Sequence, residues 1–199
     1  IDQLAAKGIT LQHIDLGGGL GVTYDQEEPP HPSEYLAAVK DRLKDRNLTL
    51  VLEPGRSIAA NAGIFVTQTI LTKTNQDQSF AIVDGAMNDL IRPSLYGAWQ
   101  TIIPVNITPS AGQIEASYDV VGPVCESGDF LGKGRQLRLK EGDLLAVRSA
   151  GAYGFVMGSN YNTRGRAPEI LVNGSQTHLI RQRESIESLW ALEHLVDRP

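Results

Sequence analysis

The spacing of apolar and polar positions changes character once along this chain, near residue 63. Residues 9–16 predict a short strand that runs into a glycine-rich loop. Residues 33–46 follow with Tyr35, Leu36, Val39 and Leu43 on one face and Lys40, Asp41 and Lys44 on another. That spacing predicts an amphipathic helix, with Ser33 as its N-cap. Residues 48–52 form a continuous apolar run, the pattern of a strand covered on both faces. Strand, loop, helix and strand in this order predict a parallel α/β sheet or barrel. The loops at 17–21 and 53–56 both leave the end of a predicted strand, the edge where α/β barrels carry their active sites.

Beyond residue 63, apolar and β-branched runs recur at 64–71, 80–84, 101–107, 118–121, 144–149 and 169–172. Turns rich in Gly, Pro, Asn and Asp separate them, which predicts an antiparallel β-barrel or sandwich. A last amphipathic helix is expected at about 184–195, with Ile186, Leu189, Trp190, Leu192 and Leu195 on its apolar side. The chain therefore divides into an α/β portion, 1–62, and a mainly β portion, 63–199. Residues 2–8 read as the end of a helix with a glycine stop, so the expectation is a C-terminal piece of a longer protein.

Composition narrows the function classes. Of 199 residues, 41% are hydrophobic and 21% charged, as in ordinary globular domains. A net charge of −5 gives no basic footprint for nucleic acid. No apolar run approaches the ~20 residues of a membrane span. The single cysteine excludes an intrachain disulfide framework and fits a reducing, cytoplasmic setting. The four histidines, at 13, 31, 178 and 194, have no metal-ligand spacing, so no metal site is expected. His13 reads as a strand residue, and His178 and His194 as solvent-facing.

Four segments carry candidate chemistry. The glycine loop at 17–21 lets the backbone approach a ligand closely and can present N–H groups to an anion, or it is simply a tight turn. It lacks the third glycine of a dinucleotide fingerprint, since position 22 is Val22. In Glu53-Pro54-Gly55-Arg56, a carboxylate leaves a strand and a sharp turn leads to Ser57, which can open a helix. The alternative is an ordinary Glu53–Arg56 ion pair. Cys125 sits in a polar, glycine-bracketed segment beside Glu126 and Asp129, where a thiol is exposed and tunable. Tyr153 lies between small residues in Gly151-Ala152-Tyr153-Gly154, and a buried core tyrosine is the alternative there. Arg92 precedes Pro93, with Tyr96 four residues on, either to bind an anionic substrate or as a solvated loop arginine.

These four segments, in this order, resemble the fold-type III pyridoxal-phosphate decarboxylases of basic amino acids, over essentially the whole chain. The resemblance implies the C-terminal end of a pyridoxal-phosphate-binding (β/α)8 barrel followed by an antiparallel β domain. It implies that Gly18, Gly19, Pro54, Gly55 and Arg56 hold the cofactor phosphate, with Tyr153 beside it. Glu53 faces the pyridine nitrogen. Arg56, Arg92, Tyr96, Glu126 and Tyr153 contact the amino-acid substrate, and Cys125 donates a proton. The catalytic unit implied is a homodimer with a shared site. The family's Schiff-base lysine lies upstream of the glycine loop, and neither Lys7 nor Lys40, both on predicted helices, fits that role. The chain alone is therefore expected to be inactive.

A cationic Arg92 suits a substrate with a distal carboxylate and repels a bare ammonium. That favours meso-2,6-diaminopimelate, converted to lysine and CO2 at the end of lysine biosynthesis, over ornithine, arginine or carboxynorspermidine. A non-catalytic homologue that binds a partner protein is the alternative of a different class.

Overall fold

The computed structural model describes residues 1–196. Its first part contains α1 (Asp2–Ala5), β1 (His13–Asp15), α2 (Pro32–Leu43), β2 (Thr49–Val51) and α3 (Gly55–Ala59). Strands β1 and β2 are parallel, His13 opposite Thr49, with α2 between them in the chain. The cap of α2 is His31, not Ser33: its ring accepts from the Ser33 N–H, and the His31 N–H donates to Glu34 at 3.3 Å. Pro32 is the reason, since proline suits the first helical position and moves the cap back by two residues. Strand β2 is not covered on both faces: Leu50 is half-buried while Thr49 and Val51 are exposed. Among the described residues, its apolar run has one neighbouring strand, β1.

The second part is a six-stranded sheet. It comprises β3 (Phe65–Asn75), β4 (Gln78–Val83), β5 (Ile102–Pro104), β6 (Ile114–Val121), β7 (Phe130–Leu139) and β8 (Leu144–Val147), in the order β5-β8-β3-β4-β6-β7. The short helix α4 (Arg92–Tyr96) lies between β4 and β5 in the chain. The end strands β5 and β7 contact each other, so the sheet nearly closes. The sheet is mixed rather than antiparallel, because β4 and β6 run parallel. A parallel pair needs a long crossover, and the segment carrying α4 and β5 supplies it. Leu90, Val83, Val120, Leu131, Leu139, Leu145 and Val147 fill the interior with no exposed surface.

Two strands, β7 and β10 (Gln176–Arg181), were not anticipated, whereas β9 (Glu169–Asn173) falls on the expected run at 169–172. Strand β7 carries Lys133, Arg135 and Arg138, which mask the period-two burial of Leu131, Leu137 and Leu139. Strands β9 and β10 form a separate antiparallel hairpin. The predicted helix at 184–195 is absent: only a 3-10 turn, Glu187–Leu189, forms. An amphipathic helix depends on packing of its apolar face. Here Leu192 is 92% and Leu195 100% exposed.

The two parts meet through specific contacts. Thr101 Oγ1 donates to the Tyr24 carbonyl at 2.7 Å, and Ser149 Oγ to Asn61 Oδ1 at 2.6 Å. The Gly151 N–H donates to the Ala60 carbonyl at 3.0 Å, and Val22, Ala60 and Ala152 pack together.

Behind β10, Glu184 fastens the loop that precedes β9. Its carboxylate accepts from the Arg166 N–H at 2.9 Å and from Asn160 Nδ2 at 2.7 Å. The backbone N–H of Arg166, first, and Asn160 hold this carboxyl below the usual glutamate range. A depressed carboxyl stabilises the fold above its unfolded value and loses that contribution as pH falls through the folded one. Protection of the Arg166 amide against hydrogen exchange should therefore drop as pH falls below about 4.3. Glu184→Gln should already lack that protection at neutral pH. Equal protection at pH 7 and pH 3 would contradict this account.

Candidate active site

The glycine loop and the loop at 53–56 lie side by side. The Glu53 N–H donates to the Gly17 carbonyl at 2.9 Å, and the Gly55 N–H to the Glu53 carbonyl at 2.8 Å. A Cβ at position 18 would overlap the Glu53 carbonyl oxygen, so only glycine permits this approach. Among the described residues, the N–H groups of Gly18 and Gly19 donate to no protein acceptor. Helix α3 starts at Gly55, not Ser57, and has no side-chain cap. The Ser57 hydroxyl instead turns back onto the Pro54 carbonyl at 2.8 Å. Among the described residues, Glu53 and Arg56 form no ion pair with each other or with another residue. That disposes of the ordinary turn-pair reading and leaves an exposed carboxylate for a ligand.

The turn at 151–154 hangs over this pair of loops. A Cβ at Gly55 would lie 3.8 Å from the Tyr153 hydroxyl, and Tyr153 is 39% exposed, as an accessible side chain requires. A Cβ at position 151 would overlap the Ala59 carbonyl oxygen at the end of α3. Gly151→Ala should therefore force the turn off α3 at about 1–3 kcal/mol, the range of overpacking. The check is thermal melting of the variant, and an unchanged melting temperature would refute the close approach.

Arg92 opens α4 and is 8% exposed, not a solvated loop residue. Its guanidinium carbon lies 5.6 Å from the ring centre of Tyr24, 5.5 Å from Tyr96 and 5.9 Å from Tyr153. Each ring is within cation–π range. Its Nε is buried with no hydrogen-bond partner, and no carboxylate pairs with it among the described residues. A buried arginine held by rings alone retains its capacity for a two-point contact with an anion.

Cys125 is free and exposed. Its loop is built around Asp129, which is 4% exposed and turned inward, away from the thiol chemistry expected of it. The Asp129 carboxylate accepts from the Val124 N–H at 2.6 Å and the Met87 N–H at 2.7 Å. Gly122 leaves the space for that carboxylate. Glu126 accepts from the Gly128 N–H at 3.1 Å and meets the Tyr161 hydroxyl at 3.5 Å. Gly128 backs onto Ser94 in α4, so the Cys125 loop adjoins the Arg92 helix. Among the described residues, no hydrogen bond joins Cys125 or Glu126 to Glu53 or Arg56.

Two neighbouring charges are shifted by burial. Burial raises the Asp89 carboxyl above its ordinary range, while the Ala86 N–H and Arg164, at 3.6 Å, draw it back. Burial lowers Arg135 to about 10, against an opposing pull from Asp25. Its guanidinium stacks on Trp99 at 3.1 Å.

Tyr24 was missed as a neighbour of Arg92, and so was the inward turn of Asp129. Glycines at 122 and 128 signal a tight loop, but not which carboxylate turns inward. Two cavities flank these loops, the larger with Asp89, Arg166 and Glu169 in its wall. One of about 650 Å³ lies behind the 151–154 turn, against Phe65, Phe155, Ile170 and Ile180. The other, about 100 Å³, is an apolar space between Gly18, Pro54 and Leu36.

The chain belongs to the pyridoxal-dependent decarboxylases: residues 15–151 match the model of that family's C-terminal sheet domain. It is 59% identical over 98% of its length to the diaminopimelate decarboxylase of Vibrio cholerae, covering 46% of that protein. It is 58% identical over 98% of its length to the same enzyme of Pseudomonas aeruginosa, again covering 46%. The diaminopimelate decarboxylase of Helicobacter pylori, crystallised with L-lysine, superposes with a TM-score of 0.87 at 43% identity, over 96% of this chain and 47% of that one. The chain thus spans about half the length of the curated relatives it matches.

Proposed function

We propose that this chain is the C-terminal half of a pyridoxal-phosphate enzyme that converts meso-2,6-diaminopimelate to L-lysine and CO2. The observation that carries the substrate choice is Arg92, buried, ringed by three tyrosines and paired with no carboxylate. The names of the relatives at 58–59% identity agree with it, as does L-lysine in the Helicobacter pylori crystal.

The residues present fit the cofactor. Gly18, Gly19 and Arg56, at the uncapped start of α3 after Pro54 and Gly55, offer free N–H groups to a phosphate. The Tyr153 hydroxyl lies close to them. Glu53, the end of a barrel strand in this reading, offers an unpaired carboxylate to a protonated ring nitrogen. When bound, pyridoxal phosphate supplies an electron sink for the pair left by departing CO2.

The remaining steps belong to the protein. Arg92 and Tyr96 bind the carboxylate at the far end of the substrate, and Arg56 and Tyr153 flank the near end. The carbon–carbon bond to the near carboxylate breaks, and Cys125 Sγ delivers its proton to that carbon. Solvent then reprotonates the thiolate. Cys125 and Glu126 serve the site of a second subunit, which makes the enzyme a homodimer; their exposure and their lack of contact with Glu53 support this. The Schiff-base lysine lies upstream, so this chain alone is inactive. A cytoplasmic location suits an amino-acid-synthesising enzyme, and no described helix is long and apolar enough to cross a membrane.

The test is CO2 release by the full-length enzyme from meso-diaminopimelate, ornithine and arginine. Strong preference for meso-diaminopimelate is expected. Preference for another amine would overturn the substrate, and no release from any would overturn the enzyme.

A further inference from the structure

We infer that Tyr24, a residue of the glycine-loop extension, is a positioning residue that sets the Arg92 guanidinium for the distal carboxylate and so helps determine substrate specificity. This rests on the decarboxylase reading above.

The loop at 22–27 crosses from the α/β part to the sheet and is fixed at several points. The Tyr24 carbonyl accepts from Thr101 at 2.7 Å, and the Thr23 carbonyl accepts from Ser149 at 3.4 Å. The Glu27 carboxylate accepts from the N–H groups of Tyr24 at 3.0 Å and Asp25 at 2.7 Å. Three N–H groups of residues 24–27 hold Glu27 below the usual carboxylate range, so it stays ionised at neutral pH. The loop therefore delivers the Tyr24 ring to a defined place.

That place is against Arg92, 5.6 Å from the guanidinium carbon. Of the three rings around Arg92, Tyr96 is 62% and Tyr153 39% exposed, whereas Tyr24 packs on the buried cluster of Val22, Ala60 and Ala152. Tyr24 is thus the inner wall. Its hydroxyl is buried with no hydrogen-bond partner. The ring face is what Tyr24 offers to the guanidinium. A cation held by ring faces keeps its N–H groups for the substrate, whereas a carboxylate in that position would consume them.

L-Lysine and cadaverine separate this role from general support. L-Lysine keeps the carboxylate that the distal site holds, and cadaverine has none. The experiment measures binding of each to the full-length holoenzyme by calorimetry, with steady-state constants for meso-diaminopimelate. Tyr24→Ala and Tyr24→Leu should each weaken L-lysine binding about five- to tenfold and raise KM similarly, with kcat changed less. Cadaverine binding should not move. Tyr24→Phe should behave as the parent, because the ring remains.

Equal weakening of L-lysine and cadaverine would overturn the inference in favour of a structural role. So would an unchanged L-lysine affinity in Tyr24→Ala, or a Tyr24→Phe variant as impaired as Tyr24→Ala. Cadaverine binding by the same preparations shows that the variants are folded. If the parent enzyme releases no CO2 from meso-diaminopimelate, the decarboxylase reading fails first, which is a distinguishable result.

Discussion

Arg92→Ala in the full-length enzyme should weaken binding of meso-diaminopimelate by about 2–5 kcal/mol, the range for losing one partner of a desolvated charge pair. The size follows from burial. At 8% exposure, with Nε unpartnered, Arg92 is desolvated before the substrate arrives, so water offers the substrate little competition there. The loss should appear mainly in KM. Binding of cadaverine, which lacks the carboxylate, should be unaffected. Similar losses for both ligands would mean that Arg92 supports the fold instead of the substrate.

Cys125→Ala should lower kcat by about 10²–10⁴, the usual worth of a positioned general acid. KM should change little, because the thiol acts on the substrate carbon only after CO2 departs. A shared site adds a sharper check. Mixing Arg92→Ala with Cys125→Ala subunits should restore about a quarter of parent activity, since half the dimers are mixed and each has one intact site. No restoration would place Cys125 and Arg92 in the same subunit's site.

The loops of the site were legible because each follows an apolar strand and consists of residues with narrow physical uses. Glycine at 18 and 151 permits a backbone approach that any side chain would block. Glu53 stood out as a carboxylate at the end of an apolar run. Pairing was less legible. The parallel alignment of β4 and β6 depends on where the crossover runs, which local patterning does not encode. Strand β7 was hidden by its basic residues, one of which, Arg135, is buried against Trp99. The apolar periodicity at 184–195 is real, but no surface among the described residues receives it. Tyr24 gave no signal, because one aromatic in a polar loop acquires meaning only when the loop folds over Arg92.

The central position of β3 bears on how the protein is made. Phe65 pairs with Val147, a partner that leaves the ribosome roughly eighty residues later, and β3 waits for it with one edge open. Its other edge is filled at once by the hairpin to β4. Such distant pairings slow folding, because a long loop must close before any contact rewards it. The nascent chain therefore carries an unpaired, half-apolar edge through roughly eighty residues of further synthesis. Aggregation during expression, rather than low stability of the finished fold, should be the first failure of variants that weaken β8.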